Sequence, residues 1–166
     1  MAIARRSENK TRKVPGGARI LVVEARFYDD IADMLLAGAV RVLDEAKVHW
    51  DLVSVPGALE IPVAAAIALD AAARRQPYDG LVALGCVIRG ETSHYDIVAG
   101  QSARALMDLA VERRLPVGNG ILTVDNEDQA RARAQPGRHD KGAGAAQAAL
   151  ALVALKGRAT ATRRRR

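Results

Sequence analysis

The stretch "GLVALGCVIRGETSHYDIVAG", residues 80–100, changes character twice. Residues 80–88, "GLVALGCVI", form a short unbroken apolar run, the pattern of a buried strand. Residues 89–94 then bring an arginine, a glycine, a glutamate, two hydroxyls and a histidine in succession. A helix is predicted to start near Ser93, and "SARALMDLAVERR" (102–114) places Ala103, Leu106, Met107, Ala110 and Val111 on one face. A buried strand that breaks into a polar turn and then a helix is a unit of a parallel sheet.

Working outward, the same alternation repeats. "ARILVVEA" (18–25) reads as a strand, and "IADMLLAGAVRVLDEA" (31–46) as a helix with Ile31, Leu35, Gly38, Ala39 and Val42 in period. "VHWDLVSV" (48–55) reads as a strand. "ALEIPVAAAIALDAAARR" (58–75) is apolar nearly all round, with Pro62 suited to a first turn, and predicts a buried helix. "VGNGILTV" (117–124) is the fourth strand. "NEDQARARA" (126–134) opens on acids, as helix starts favour. "GAGAAQAALALVALKG" (142–157) spaces Ala145, Ala148, Ala149, Leu152 and Val153 helically. The reading is α/β: a four-stranded parallel sheet with helices on both faces and right-handed crossovers.

The 166 residues fit one domain. Net charge is +6, but residues 1–19 hold +5 and residues 156–166 hold +6, so the body between them is at −5. Residues 1–17 are expected to be a basic, disordered extension, residues 18–157 the folded domain, and residues 158–166 a basic tail. Weak salt-sensitive contact of the tails with RNA is the limit of a nucleic-acid role, since aromatics make up only 3% of the chain. One cysteine, Cys86, excludes an internal disulfide and fits a reducing compartment, here the cytoplasm. No apolar run is long enough for a membrane span, and the N-terminal residues lack the apolar core of a secretory signal.

In a parallel sheet, ligands bind beyond the carboxyl ends of the strands. "RFYDD", "PGALE" and "RGETSH" each follow a strand, and Asn119 and "TVDNED" flank the fourth. Gly90, Glu91 and Thr92 lead into a helix start that suits an anion such as phosphate; a capped helix without ligand is the plainer alternative. Arg89 is either a phosphate ligand or half of a structural salt bridge. His94, in the first turn, is either a proton carrier or an ordinary histidine. Phe27 is a stacking platform or packing, and Glu60 a helix-start carboxylate or a hydroxyl acceptor. Trp50 is core or interface. Cys86, in an apolar strand end with no base beside it, reads as a small buried residue. Three scattered histidines and one cysteine give no metal-ligand spacing.

Together "EARFYDDIADMLLAGA", "VPGALEIPVAAA", "ALGCVIRGETSHYDIVAG", "GILTVDNEDQARARA" and "KGAGAAQAAL" resemble the lumazine synthases, over about residues 18–156. The resemblance implies a flavodoxin-like three-layer sandwich. It implies condensation of 5-amino-6-(D-ribitylamino)uracil with 3,4-dihydroxy-2-butanone 4-phosphate, without metal or organic cofactor. It also implies a site between neighbouring subunits of a homopentameric ring. By position, Phe27 matches the aromatic that stacks on the pyrimidine. Ala58, Leu59 and Glu60 match the segment holding the ribityl chain and ring. Cys86, Val87 and Ile88 match the strand end whose backbone reads the pyrimidine edge. Glu91 and Thr92 match the phosphate turn, Arg133 the phosphate arginine, His94 the proton-transfer histidine and Lys141 a basic residue near the site. Asn119 stands where many relatives carry an aromatic from the adjacent subunit. "QPGRHDK" departs from the usual bend before the final helix, which favours an isolated pentamer over a sixty-subunit shell. Two other classes of function compete: a flavin- or lumazine-binding protein without turnover, and an RNA-associated scaffold using the tails.

Overall fold

The computed structural model describes Val14, residues 16–137 and residues 139–163. Most of the N-terminal extension and Arg164–Arg166 lie outside the described residues. The elements run β1 (Arg19–Ala25), α1 (Asp29–Glu45), β2 (His49–Val55), α2 (Glu60–Ala72), β3 (Gly80–Ile88), α3 (His94–Arg113), β4 (Val117–Val124), α4 (Glu127–Ala134) and α5 (Lys141–Arg163). The four strands form one parallel sheet in the order β2-β1-β3-β4.

Burial follows strand position. β1 and β3 are central and covered on both faces, so "ILVVEA" and "GLVALGCV" are buried throughout. β2 and β4 are edges, and their burial alternates. One core, between the sheet and helices α1, α4 and α5, holds Ile20, Val22, Leu35, Leu84 and Ala149. The other, under α2 and α3, holds Leu21, Val23, Ile61, Leu81 and Leu106. Trp50 is half-buried against the first core, and its Nε1 donates to Asp44 Oδ1 at 2.9 Å.

Glycines let α5 lie against its neighbours. A Cβ on Gly118 would overlap the Ala145 carbonyl, and one on Gly142 would overlap the Leu35 carbonyl of α1. Asp140 is 7% exposed and joins these layers. Its Oδ1 accepts from Ala143 N at 2.9 Å, starting α5, and its Oδ2 accepts from Arg41 at 2.9 Å, tying that start to α1.

Three helix readings change. α5 does not stop at residue 157 but continues through residues that the tail was expected to hold. Alanine propensity sustains it, and Thr160 Oγ1 donates to the carbonyls of Lys156 and Gly157. Its buried stripe includes Ala146, Leu150 and Ala154, while Ala148 and Leu152 face outward. The buried alanines of α5, Ala143, Ala145, Ala146, Ala149 and Ala154, therefore serve packing within the chain. In α3 the core side is Ser102 and Leu106 with Leu109, whereas Met107 and Val111 are 59% and 71% exposed. In α2 the apolar side chains Val63 and Ile67 are also exposed, so that helix is buried on one side only.

Gly142→Ala has no room to relax, because backbone rather than a side chain stands in the way. It is expected to destabilise the fold by about 2–3 kcal/mol. The midpoint of urea unfolding checks this, and an unchanged midpoint would contradict the close α1–α5 approach.

Candidate active site

The β1–β3 ladder ends at Glu24↔Leu84, yet β3 continues to Ile88 and stays paired with β4 as far as Ile88↔Val124. β1 has turned away: Arg26 N donates to Val55 O, on the β2 side, at 2.9 Å. The β1-facing backbone edge of residues 85–88 is thus beyond its ladder. Such groups need partners. This is the point at which strand order reverses, where open parallel sheets bind ligands.

Three of the polar clusters meet on this rim. Phe27 follows β1, with its ring 71% exposed and edge-on to Tyr28, centroids 5.0 Å apart. Ala58 and Leu59 follow β2; Ala58 is buried and Leu59 is the N-cap of α2. Glu60 opens α2, and its Oε2 would lie 2.9 Å from a Cβ on Gly57, so the carboxylate folds back over that glycine. Cys86 and Val87 are buried and Ile88 half-buried at the end of β3. Glu91, Thr92 and His94 are exposed where α3 begins. Ser93 makes no side-chain cap there, and His94 N donates to Thr92 Oγ1 at 3.4 Å. The helix start keeps its positive end toward the rim.

Arg89 resolves toward its structural reading. Its guanidinium lies 3.9 Å from the Tyr95 ring centroid and pairs with Asp96 and Asp125, each at 3.4 Å. It bridges the turns after β3 and β4. Cys86 is held neutral: burial, then the nearby Asp30 carboxylate, pushes its thiol up to about 11. That suits a packing residue and not a nucleophile. Tyr28 is raised as well, mainly by burial.

Three other candidates stand on β4 and the last two helices, and Asn119 lies away from the rim of its own chain. Asn119 sits opposite Ala83, five residues before the Ile88 end of the ladder, or roughly 17 Å along a strand. Its Oδ1 accepts from Ile121 N at 2.9 Å, which leaves the amide NH2 to donate outward. Arg133 is on α4, donating to Gln129 O at 3.1 Å. Lys141 is the exposed first residue of α5. Arg138 lies outside the described residues. Two surface concavities, of about 600 and 460 Å³, gather around Arg19 and Gln76 at the opposite end of the sheet. The rim carries the more convergent chemistry.

Sequence reasoning passed over two groups. Glu24 is a carboxylate only 2% exposed at the end of β1. Arg26 binds it together with Asp29 and Asp33. Five charges within the ten residues 24–33, at a predicted strand end, were the available signal.

The architecture is that of a flavodoxin-like α/β protein, with its candidate site on the rim at the switch point. The family profile for 6,7-dimethyl-8-ribityllumazine synthase matches residues 17–157. A 6,7-dimethyl-8-ribityllumazine synthase of Methylobacterium radiotolerans is 64% identical over 149 residues, covering 90% of this chain and 88% of that protein. Those of Nitrobacter hamburgensis and Methylocella silvestris are 59% and 60% identical, covering 95% and 97% of this chain and 98% and 99% of their own. The chain belongs to the 6,7-dimethyl-8-ribityllumazine synthase family.

The raised thiol has two consequences. At pH 8 iodoacetamide should label Cys86 in the native protein about two orders of magnitude more slowly than in urea. An unfolded thiol ionises first, so from about pH 9 to about 11 the fold retains a proton that the unfolded chain has lost, and stability falls as pH rises. Equal labelling rates in the native and unfolded states would contradict this.

Proposed function

We propose that the switch-point rim performs the family's condensation: 5-amino-6-(D-ribitylamino)uracil and 3,4-dihydroxy-2-butanone 4-phosphate give 6,7-dimethyl-8-ribityllumazine, phosphate and water, in riboflavin biosynthesis. The observation that carries the placement is the end of the β1–β3 ladder at Glu24↔Leu84. The backbone of Cys86, Val87 and Ile88 beyond it offers donors and acceptors to a flat pyrimidine edge. Phe27 stacks on the ring face. Ala58, Leu59 and Glu60 hold the ribityl chain, with the Glu60 carboxylate accepting from its hydroxyls.

The phosphate lies at Glu91 and Thr92, against the start of α3, where free N–H groups and the helix dipole favour an anion. Arg133 of a neighbouring copy supplies the charge-assisted contact and Lys141 adds positive potential. His94 carries protons between the imine-forming and eliminating steps. Most of the rate comes from holding two reactants in register. Proton transfer contributes typically ~10²–10⁴-fold.

Asn119 serves a neighbouring copy in this reading, which is why it stands so far from its own rim. With its Oδ1 engaged, it donates to a pyrimidine carbonyl where an aromatic would have stacked. The exposed Val63, Ile67, Met107 and Val111 on α2 and α3 are the surface on which copies meet. We read the assembly as a homopentamer of the cytoplasm. No described helix is long and apolar enough to cross a membrane.

Mixing both substrates with the purified protein and following lumazine fluorescence tests the reaction; binding without turnover would favour a storage protein instead. His94→Ala should lower kcat by about 10²-fold or more while pyrimidine binding by calorimetry stays nearly unchanged. Arg133→Ala should raise KM for the phosphate substrate and leave that for the pyrimidine nearly unaltered. Equal effects on both substrates would remove Arg133 from the phosphate site.

Assembly is checked by light scattering on a sizing column at low and high salt. Five chains of 17.7 kDa give 88.5 kDa. A megadalton particle, or a fully active 17.7 kDa monomer, would contradict the pentamer.

A further inference from the structure

Phe27 has little to hold it. Its ring is 71% exposed and touches Tyr28 only edge-on. An exposed ring can present a fixed face only if the backbone on either side is fixed. Behind it, Arg26 N is bonded to Val55 O of β2 at 2.9 Å. Ahead of it, Tyr28 is half-buried against the core and holds the N-cap position of α1, its carbonyl accepting from Ala32 N at 2.9 Å.

The Arg26 side chain joins these anchors. Its NH1 donates to Glu24 Oε1 at 3.2 Å, its Nε to Asp29 Oδ1 at 2.9 Å and its NH2 to Asp33 Oδ1 at 2.8 Å. The NH2 also lies 3.5 Å from the Asp29 carbonyl oxygen. One guanidinium thus ties the end of β1, the loop and the first turns of α1 around the residue that follows it. Asp33, Glu24 and Asp29 together hold it cationic, its pKa raised above the ordinary arginine value.

Glu24 shows that this arrangement is not the one an apolar core would adopt. Its Oε1 also accepts from Ser54 Oγ at 2.8 Å, but its Oε2 is buried with no hydrogen-bond partner among the described residues. A buried carboxylate with one oxygen unsatisfied is unfavourable, and Arg26 is the cation that compensates it. Lysine could not replace it, because three carboxylates in different directions need the guanidinium fork.

We propose that Arg26 is a positioning residue for the pyrimidine substrate, acting through Phe27: it holds the loop so that the Phe27 ring presents its face to the bound heterocycle. This rests on the rim reading given above. Positioning of one stacked ring affects one substrate. The predicted signature is therefore a change in KM for the pyrimidine, with KM for the butanone phosphate unmoved and kcat within about twofold.

The test is a double-mutant cycle on the full-length, assembled protein, read by steady-state kinetics with each substrate varied. Arg26→Gln should raise the pyrimidine KM by about five- to tenfold, the scale of one lost aromatic stack. Arg26→Lys should behave like Arg26→Gln. In a Phe27→Ala background, Arg26→Gln should add nothing further to that KM. Asp33→Asn removes one tie from an exposed carboxylate and leaves Glu24 paired, so it keeps the test open even if Arg26→Gln fails to fold; it should raise the same KM by a smaller factor. An unchanged pyrimidine KM in Asp33→Asn and in any folded Arg26→Gln protein would overturn the proposal. So would an Arg26→Gln effect that persists undiminished without Phe27, the mark of a merely structural role. Phe27→Ala without effect on pyrimidine KM would overturn the rim reading itself, and this proposal with it.

Discussion

The parallel ladder between β1 and β3 stops at Glu24 and Leu84, and beyond that point the strands part. β1 is drawn toward β2 by the Arg26–Val55 bond, while β3 runs on beside β4. Both strands are buried on two faces, so the place where they separate is the place where backbone polar groups leave a dry core without ladder partners. The rest of the rim is arranged about that opening. The turn after β1 places an aromatic on one side, the start of α2 places a carboxylate, and the start of α3 places a helix dipole and a histidine. None of these groups would be a site alone.

Close helix packing makes the opening rigid. α5 rests on β4 through Gly118 and on α1 through Gly142, and Asp140 fastens the same layers from their common end. On the other face, Arg113 of α3 pairs with Asp70 of α2 at 2.5 Å, lowering the Asp70 pKa. Arg131 of α4 meets Asp30 of α1 beside the buried Cys86 strand end. These surface pairs contribute little stability individually. Their value lies in registering the helices whose first turns line the rim.

The single chain also leaves work undone. Exposed apolar side chains on α2 and α3 and an outward-facing amide at Asn119 are features of a surface and not of a core. These are the side chains that the homopentamer reading places between copies. Association would also explain why Asn119 and the Phe27–His94 rim sit at different depths of one sheet. A reaction that depends on holding two substrates in register gains from walls contributed by rigid elements of two chains.

Much of this was legible in the residues. Periodicity gave the alternation of strands and helices, and the unbroken apolar run of residues 80–88 marked a buried strand; which strands are edges came from the fold. Periodicity also placed the start of α3 at Ser93. The order of the polar clusters identified the rim, because parallel strands deliver their carboxyl ends to one side. Tertiary structure decided which apolar faces of α2, α3 and α5 find partners within the chain. Helical period gives a stripe, but an interface between copies has the same stripe as a core. It also decided the role of charge. Arg26 and Arg89 look alike in sequence, each an arginine just past a strand. Only the fold shows one clamping Glu24, Asp29 and Asp33 and the other lying over Tyr95 between Asp96 and Asp125. Composition fixes how many charges a chain carries; the distances between them, which set their energies, exist only once the strands and helices are packed.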